Sequence, residues 1–399
     1  MRVNYGQSVH GDDEIKAVIK VLKNSTQMGE SVNLFENSIK KLFSKKYATM
    51  VNSGSSALFI AFEVLNIKEG SEVITPVLTF GTTVSAILKN GLIPKFVDVE
   101  RDTYCMDLNQ IERLITKKTK AICAVNLLGN LPDLKKLRAI AKKYNLILIE
   151  DSADTLGATL NNRYSGFYTD VSITSFYGSH IINGAGNGGM VCFNDKKYYE
   201  KSLLLRSWGR SSSLFKENSE KIENRFNIDI DGIPYDKKFV FEQLGYNLEP
   251  SEISAAFANV QLKKLKKNIK IRQKNFKSHI KFFKKYPKLF RVPIERKNVS
   301  TCWLAFPIII KEDAKFTRKD LQIFLEKKNI QTRVVFTGNI LRQPGFKYLA
   351  TRKERDKYIK ADEVMKSGML LGCHHGLNRK HLSYIYKNIE DFINKNHQF

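Results

Sequence analysis

The sequence lacks the features of secreted and membrane-spanning proteins. No stretch approaches the roughly 20 consecutive apolar residues that a membrane span requires. The first residues, Met-Arg-Val-Asn-Tyr-Gly, do not form the charged-then-apolar pattern of a secretory signal. The five cysteines lie far apart without a Cys-x-x-Cys pair, which argues against a disulfide framework and a local metal site. We therefore predict a cytoplasmic protein with reduced thiols and no bound metal.

Lysine is missing from one central segment of an otherwise lysine-rich chain. No lysine occurs between Lys143 and Lys196, and Arg163 is the only basic residue there. Buried strands account for part of this depletion, because charged side chains are rarely fully buried. The segment therefore offers no amine that could act as a nucleophile.

Basic residues outnumber acidic ones, with 66 Lys and Arg against 40 Asp and Glu and a net charge of +26. Much of the excess lies between Lys263 and Lys285, where apolar residues recur at roughly helical spacing. We interpret these lysines as the solvated face of a helix, since no nucleic-acid-binding motif accompanies them. A basic surface also suits substrates that carry diphosphates. We predict neither a nucleic-acid nor a membrane partner.

The length of 399 residues favours two domains, because a single hydrophobic core rarely grows past about 250–300 residues. We place a large domain at residues 1–250 and a smaller α+β domain at 251–399. Short apolar runs alternate with helical patterns in the first, which predicts a mainly parallel sheet with both faces covered. The predicted strands are Glu72–Pro76, Pro94–Val99, Ala121–Leu127, Leu146–Glu150, Val171–Phe176 and Gly189–Phe193.

The second half of the chain shows fewer regular patterns. Residues 209–245 are polar and rich in Ser, Asn, Asp and Gly, which predicts a long excursion over the surface. A long helix should follow Pro250. Further strands at Cys302–Ile310 and Gln331–Phe336 and helices at Arg318–Lys327 and His381–Asn394 would complete the small domain.

Three segments carry candidate chemistry, and each also has an ordinary structural interpretation. Asn52–Leu58 is a small-residue turn before an apolar helix, which suits a phosphate site or a plain helix cap. Leu146–Asp154 is a buried strand that ends in acids, which could hold a heteroaromatic N–H or cap the next helix. Ser175–Met190 is a glycine-rich loop around His180, a residue more often structural than catalytic in isolation.

Together these segments resemble the pyridoxal-phosphate-dependent DegT/DnrJ/EryC1/StrS sugar aminotransferases, which have the aspartate aminotransferase (type I) fold. The resemblance includes Ser53-Gly54-Ser55, Phe80, Glu150-Asp151, Ser175-Phe176 and the Gly188-Gly189 loop, and it covers nearly the whole chain. It implies an α/β fold with a mainly parallel seven-stranded sheet in the large domain. Where aminotransferases of this family carry a lysine, this sequence has His180, an exchange typical of the family's nucleotide-sugar 3-dehydratases.

The resemblance also implies a role for each matching position. Asp151 would pair with the pyridinium nitrogen, Phe80 would stack on the ring, and Asp154 would approach the cofactor's 3-hydroxyl. Gly54, Ser55 and Ser175 would hold the phosphate. Asn247 would reach the phosphate from the neighbouring subunit, which makes a homodimer with shared active sites the minimum active unit. The sequence departs from the family pattern at two places. Asn187 stands where relatives usually carry Glu, and Leu248-Glu249 replaces a commonly basic residue.

The exchange of lysine for His180 predicts a change of reaction. An imidazole moves protons near neutral pH but cannot form the covalent bond that a lysine amine forms with the cofactor. By resemblance, L-glutamate would convert bound pyridoxal phosphate to pyridoxamine phosphate, whose amine condenses with the C4 ketone of a nucleotide-linked 4-keto-6-deoxy sugar. His180 would then assist loss of the C3 hydroxyl. The product would be a 3,6-dideoxy-4-keto sugar for surface polysaccharide, with a 4-ketoreductase expected downstream.

Other functions stay open at this point. An iron–sulfur dehydrase that needs a partner reductase carries cysteines where this chain has Ala153 and Ser211–Leu214 after Trp208-Gly209-Arg210, so we favour the glutamate-dependent reaction. An aminotransferase with a displaced lysine and a cofactor-binding regulator or nucleic-acid binder are further alternatives. For the nucleotide, we favour GDP over CDP. The sequence does not distinguish a hexose from a heptose, and it determines neither the stereochemistry of the sugar nor whether a tetramer forms.

Overall fold

The computed structural model describes residues 1–215 and 222–397. Its helices are α1 (Asp12–Asn24), α2 (Glu30–Leu42), α3 (Gly54–Val64), α4 (Gly81–Lys89), α5 (Leu134–Lys143), α6 (Lys196–Arg206), α7 (Ile222–Phe226), α8 (Glu252–Phe283), α9 (Arg318–Lys327), α10 (Arg352–Arg355), α11 (Ile359–Ser367) and α12 (Arg379–His397). No helix in the described ranges is long and apolar enough to cross a membrane.

The strands fall into one large sheet, one smaller sheet and two short ribbons. They are β1 (Tyr47–Val51), β2 (Glu72–Pro76), β3 (Ile93–Val97), β4 (Thr119–Val125), β5 (Ile147–Asp151), β6 (Thr159–Leu160), β7 (Arg163–Tyr164), β8 (Val171–Ser175), β9 (Gly189–Phe193), β10 (Ile228–Ile230), β11 (Ile233–Tyr235), β12 (Phe290–Arg291), β13 (Val299–Ser300), β14 (Ala305–Ile310), β15 (Arg333–Val334) and β16 (Gly368–Gly372).

The large sheet has seven strands in the order β1-β9-β8-β5-β4-β2-β3. All neighbours are parallel except those of β9, which runs antiparallel to β1 and β8. The predicted mainly parallel seven-stranded sheet is thereby confirmed. The reversal at β9 follows from its connection, because residues 176–188 form a glycine-rich loop without the helical crossover that a parallel return needs. Strand β1 was not among the predicted strands.

Helices cover both faces of this sheet, as a parallel sheet requires. Alternate strand residues enter different cores: Val73 and Ile149 pack with α3 and α4, whereas Ile74 and Leu148 pack with α5. A third core joins α2 and the first part of α8 to strands β1 and β9. The near-continuous apolar runs that predicted the strands therefore reflect burial on two sides.

The smaller sheet has the order β12-β14-β16-β15 with antiparallel neighbours throughout. Its core includes residues of α8, α9, α11 and α12. The strands predicted at 302–310 and 331–336 are present but shorter, while α9 has the predicted bounds and α12 includes the predicted helix. The division into domains at residue 250 stays a prediction. The first residues of the chain pair with the predicted small domain, because Val3 forms a parallel bridge with Ile330 beside the smaller sheet.

The segment at 209–245 is an excursion with little regular structure, as predicted, apart from α7 and the β10–β11 hairpin. Part of it, residues 216–221, lies outside the described residues. Its apolar side chains are unusually exposed, with Leu244 93% exposed and Phe241 60% exposed. A surface of this kind is typical of a protein interface.

A buried ion pair ties the first strand to two helices. The Arg206 guanidinium at the end of α6 donates to a Glu36 carboxylate oxygen at 2.8 Å and to the Met50 carbonyl at 3.1 Å. Glu36 also accepts the Met50 N–H at 2.7 Å. Burial raises the pKa of Glu36, and the neighbouring guanidinium opposes that rise. The pair thus fixes β1, and with it the entry into α3.

We predict that Arg206→Met destabilises the protein by about 3–5 kcal/mol, because removal of one partner leaves a buried charge uncompensated. The midpoint of urea unfolding should fall accordingly, and Glu36→Gln added to Arg206→Met should recover part of the loss. Lys196→Gln is the control, since the Lys196–Glu200 pair is exposed and should contribute less than about 1 kcal/mol. An unchanged midpoint for Arg206→Met would contradict this account of β1.

Candidate active site

The carboxyl ends of the parallel strands bring the predicted residues to one edge of the large sheet. Val51 at the end of β1 and Ser175 at the end of β8 both pair with Gly189. Asp151 at the end of β5 pairs with Ile173 of β8. Ligands of parallel α/β sheets bind at this edge. The sequence-predicted side chains therefore come from separate strands that converge in space.

The N-terminus of α3 forms a narrow cradle against the end of β8. A Cβ atom placed on Gly54 would lie 2.6 Å from Ser175 Cβ and 2.9 Å from Ser175 Oγ, so only glycine fits this approach. The Ser53 side chain accepts the Ser56 N–H at 3.1 Å and caps the helix. The first amides of α3, including that of the exposed Ser55, have no helical acceptor and lie at the positive end of the helix dipole. This arrangement fits a phosphate group.

Asp151 is a buried acid that the surrounding polar groups hold in one orientation. Its carboxylate accepts the Thr83 hydroxyl at 2.8 Å and the Ala153 N–H at 3.1 Å. Thr79 donates in turn to Thr83 at 2.9 Å. Burial raises the pKa of Asp151, so its ionised form needs a cationic partner. A protonated ring nitrogen would be such a partner. Thr79 and Thr83 escaped the sequence analysis, although both lie beside Phe80.

Asp154 lies in the turn after β5 and accepts the Leu128 N–H at 3.0 Å. Leu128 has a left-handed backbone with φ of 56°, which presents that amide to the carboxylate. Burial, opposed by this bond and assisted by the charge of Asp151, raises the pKa of Asp154 to about 7. Two acids of raised pKa therefore lie close together at the sheet edge, a pattern common in functional sites.

His180 is partly buried in the loop that follows β8. Its Nδ1 lies 3.3 Å from the Ser175 carbonyl oxygen. A carbonyl can only accept, so the tautomer with its hydrogen on Nδ1 satisfies this contact. Burial, together with the positive charge of Arg272, lowers the pKa of His180 to about 4. The pKa is thus lower than the ordinary value expected from sequence, and the imidazole is neutral at physiological pH.

The main chain around His180 is fixed by a buried guanidinium that sequence analysis missed. Arg272 of α8 is fully buried and donates to the carbonyl oxygens of Trp303 and Leu304 at 3.3 and 3.2 Å. It also donates to the His180 carbonyl oxygen at 3.4 Å. The only signal in the sequence was an arginine within a helix otherwise rich in lysine. Arg272 therefore connects the His180 loop to the smaller sheet.

Phe80 is the N-cap residue of α4 and ends the short segment that joins β2 to this helix. Its ring is 56% exposed, an unusual state for a phenylalanine, and contacts Phe336 edge-to-face at 6.1 Å between centroids. Thr83, one helical turn later, is the residue bonded to Asp151. An exposed aromatic face beside a buried acid fits a planar heteroaromatic ligand.

Asn247 precedes Leu248, whose carbonyl accepts the Asn52 N–H at 3.0 Å just before the turn into α3. Asn247 is exposed, and its main chain forms a bridge with the buried Ser207. At the two departures from the family pattern, Asn187 is exposed while its carbonyl accepts the Ser254 hydroxyl at 2.8 Å. Glu249 accepts the Ser207 hydroxyl at 2.6 Å. Both residues thus have local structural roles.

The residues at the sheet edge fit the chemistry of pyridoxal phosphate. A glycine cradle at a helix N-terminus suits its phosphate, and an exposed phenylalanine suits its ring. A buried acid that pairs with no cationic side chain of the described residues suits its ring nitrogen. All five cysteines of the chain are buried. Within residues 1–215 and 222–397 no group of three or more His, Cys, Asp or Glu side chains could hold a metal ion.

Comparison with known proteins identifies the family of the chain. The model of the DegT/DnrJ/EryC1/StrS aminotransferase family matches residues 9–390. The lipopolysaccharide biosynthesis protein RfbH of Salmonella typhimurium is 33% identical over 92% of this chain and 86% of its own length. A dTDP-4-dehydro-2,6-dideoxy-D-glucose 3-dehydratase of Saccharopolyspora spinosa is 32% identical over 98% and 86%. The GDP-4-keto-6-deoxy-D-mannose 3-dehydratase of Yersinia pseudotuberculosis is 32% identical over 92% and 93%.

Two solved structures match over almost the whole fold. One is GDP-4-keto-6-deoxymannose-3-dehydratase with a trapped PLP-glutamate geminal diamine, with a TM-score of 0.86, 30% identity and coverage of 97% of this chain and 99% of that one. The other is a mutant of the same enzyme, ColD, with bound GDP-perosamine, with a TM-score of 0.85, 30% identity and coverage of 97% and 100%. The predicted fold class is confirmed.

We predict that Gly54→Ala weakens binding of pyridoxal phosphate at least tenfold, about 1.4 kcal/mol, because the added methyl would collide with Ser175. Absorbance titration of the cofactor measures the effect. Gly345→Ala is the matched control, since a Cβ there meets no atom within 4 Å. Equal cofactor affinity for the wild type and Gly54→Ala would rule out a phosphate in this cradle.

We predict that Asp154→Asn stabilises the cofactor-free protein increasingly as the pH rises toward 7. The folded-state pKa of Asp154, about 7, exceeds the unfolded value of about 3.9. The folded state therefore binds the proton more tightly, and the wild type loses stability as pH rises between these values. The gain should approach about 4 kcal/mol above the folded pKa. Thermal unfolding across this pH range tests it.

The exposed Asp313 provides the control for that experiment. Asp313→Asn should leave the pH dependence of the thermal midpoint unchanged. If Asp154→Asn raises the thermal midpoint by the same amount at every pH, the carboxyl of Asp154 does not titrate in this range.

Proposed function

The chain belongs to the DegT/DnrJ/EryC1/StrS aminotransferase family, and we propose that it is a glutamate-dependent 3-dehydratase of a GDP-linked 4-keto-6-deoxy sugar. The observation that carries the proposal is His180, a neutral imidazole at the carboxyl edge of the sheet in the position where the family's aminotransferases carry lysine. Relatives called 3-dehydratases match over more than nine-tenths of this chain. The chain is an enzyme of this pyridoxal-phosphate-dependent type.

The identity of the sugar nucleotide is the finer part of the proposal. Relatives at 32% identity are named for GDP-linked and for dTDP-linked sugars. We favour GDP because matching solved structures are of the GDP-sugar enzyme, one with GDP-perosamine bound. A hexose is the simplest substrate, although a heptose differs only by a carbon beyond C5. The loss of the C3 hydroxyl is the same for both.

Each residue at the sheet edge has a proposed task. The first turn of α3, with Gly54 and Ser55, and the facing Ser175 bind the cofactor phosphate. Asp151 holds the ring nitrogen protonated, and Phe80 packs on the ring. Asp154, with a pKa of about 7, would share a proton with the 3-hydroxyl. When bound, the cofactor would supply an electron sink that makes possible the loss of the hydroxyl on C3, the carbon next to the former ketone.

His180 would act as the proton carrier of the site. With Nδ1 bonded to the Ser175 carbonyl, Nε2 would be the atom that accepts a proton and returns it to the departing C3 hydroxyl. Arg272 holds the His180 main chain and thereby the direction of the ring. A histidine forms no covalent bond with the cofactor carbonyl, so the cofactor can leave in either form between turnovers.

The aminotransferase alternative lacks a suitable amine in this region. No lysine occurs between Lys143 and Lys196. Lys45 is buried, and burial lowers its pKa to about 8, as expected of a reactive amine. It donates to the carbonyls of Gly166 and Thr169. Thr169 precedes β8, so Lys45 lies at the amino edge of the sheet, opposite His180.

The iron–sulfur alternative lacks accessible thiolates. Burial raises the pKa of Cys302 to about 11 and that of Cys105 and Cys373 to about 12. Cluster ligation requires deprotonated thiols. Ala153, which stands where that branch carries a cysteine, donates its amide to Asp151 at 3.1 Å.

A homodimer with shared active sites completes the proposal. Asn247 is exposed, as are apolar side chains before it in the chain such as Phe241 and Leu244. A second copy of the chain would bury these side chains and bring its Asn247 to the phosphate. The product keeps its C4 ketone, so the next enzyme should be a 4-ketoreductase.

We predict that the enzyme, with pyridoxal phosphate, L-glutamate and GDP-4-keto-6-deoxymannose, forms ammonia, 2-oxoglutarate and a sugar nucleotide lighter by one oxygen atom. His180→Asn should lower turnover at least a hundredfold, the lower range for a general acid–base residue, and leave cofactor binding in place. His180→Lys should give a covalent cofactor adduct that borohydride traps. Mass spectrometry and an ammonia assay measure these outcomes.

The control is His10→Asn, which changes an exposed histidine and should keep wild-type turnover. An amino sugar from the wild type, or a borohydride-trapped lysine adduct, would establish the aminotransferase instead. Turnover that requires bound iron and a reductase would establish the iron–sulfur reaction. Turnover of the dTDP-linked sugar alone would overturn the choice of GDP.

A further inference from the structure

The exposed face of α8 carries an uninterrupted row of lysines, defined here as the basic row. Its members are exposed and recur every three or four residues opposite the buried face that includes Leu265, Phe276 and His279. They are Lys263, Lys266, Lys267, Lys270, Lys274, Lys277 and Lys281, followed by Lys284, Lys285 and Lys288. From Lys263 to Lys281 the row extends about 27 Å, at about 1.5 Å per residue.

The basic row lacks the acidic partners that accompany an ordinary solvated helix face. No Asp or Glu occurs between Glu252 and Glu295. Lys285 lies 3.8 Å from Glu390, and no other member of the row forms an ion pair with an acidic side chain of the described residues. Like charges three and four residues apart destabilise a helix. An external polyanion would remove this repulsion.

An apolar groove adjoins the row on the side of the smaller sheet. The groove encloses about 640 Å³ and includes Lys277 and Lys284 with Ile280, Pro287 and Ile294. Ile294 is 53% exposed. The acids that line the groove already have partners, because Asp102 lies 3.4 Å from Arg291 and Glu295 accepts the Trp303 indole N–H at 2.8 Å. Lysines thus flank an apolar strip along one edge of the molecule.

We propose that the basic row and its groove bind the surface of an anionic lipid bilayer. Lysine is a compact, strongly hydrated charge that suits a diffuse layer of headgroups, and exposed apolar side chains suit its boundary with the acyl chains. Sequence-selective nucleic-acid surfaces use arginine and planar amides, whereas the arginine of this helix, Arg272, is buried. This binding is independent of the proposed reaction. It replaces our prediction that the protein has no membrane partner.

The test is cosedimentation of the full chain with vesicles of equal parts phosphatidylcholine and phosphatidylglycerol. The wild type should bind these vesicles, dissociate from them at high salt and not bind vesicles of pure phosphatidylcholine. The variant Lys270→Gln/Lys274→Gln/Lys277→Gln/Lys281→Gln should bind at least tenfold more weakly, since each lysine near a charged surface contributes measurably. The corresponding Lys→Arg variant should bind as the wild type does.

A matched control separates the row from total charge. Lys41, Lys68, Lys89 and Lys142 are exposed and dispersed over the surface, so their joint change to Gln removes the same charge and should leave vesicle binding intact. Both glutamine variants should keep the wild-type thermal midpoint and dehydratase turnover, which separates this proposal from the proposed function.

Three results would overturn the proposal. Equal loss of vesicle binding in both glutamine variants would mean that net charge alone acts. Duplex DNA bound more tightly than vesicles, with dependence on the row, would make the surface a nucleic-acid site. Release from vesicles by millimolar inorganic phosphate at constant ionic strength would make it a site for free phosphate.

Discussion

Desolvation at the carboxyl edge of the large sheet is the constraint on which the site depends. It raises the pKa of Asp151 and of Asp154 and lowers that of His180. Burial thus disfavours the ionised form of both acids unless a cation pairs with them. It also keeps the imidazole of His180 neutral at pH 7. A cationic heteroaromatic ring beside Asp151 relieves the cost of burial, so the folded edge is already prepared for such a ligand.

Hydrogen bonds from neighbouring elements hold Asp151, Asp154 and His180 in position. Thr83 of α4 donates to Asp151, the Leu128 amide donates to Asp154, and Arg272 of α8 donates to the His180 carbonyl. None of these donors belongs to the strand whose end it supports. The orientation of the site therefore depends on the packing of helices across the sheet, and Arg272 extends that dependence to the smaller sheet through Trp303 and Leu304.

Two other surfaces of the chain differ sharply in chemistry. Residues 208–246 expose apolar side chains such as Leu244, whereas the basic row on α8 exposes uncompensated lysines. An apolar surface suits a second copy of the chain, while a row of like charge opposes self-association and suits an anionic partner. The proposed dimer and bilayer contacts would therefore use different surfaces.

The sequence by itself determined the family, the fold class and the candidate residues, because strand ends, a glycine turn and a histidine in place of lysine are local patterns. Strand register, the reversal at β9, and the tertiary partners Thr83, Leu128 and Arg272 needed the folded chain, since they join residues far apart in sequence. The roles of Gly54, Ser55, Phe80, Asp151, Asp154, Ser175, His180 and Asn247 stay predictions. Only tertiary structure decided the protonation of His180, because burial and the nearby guanidinium, rather than residue type, set its pKa.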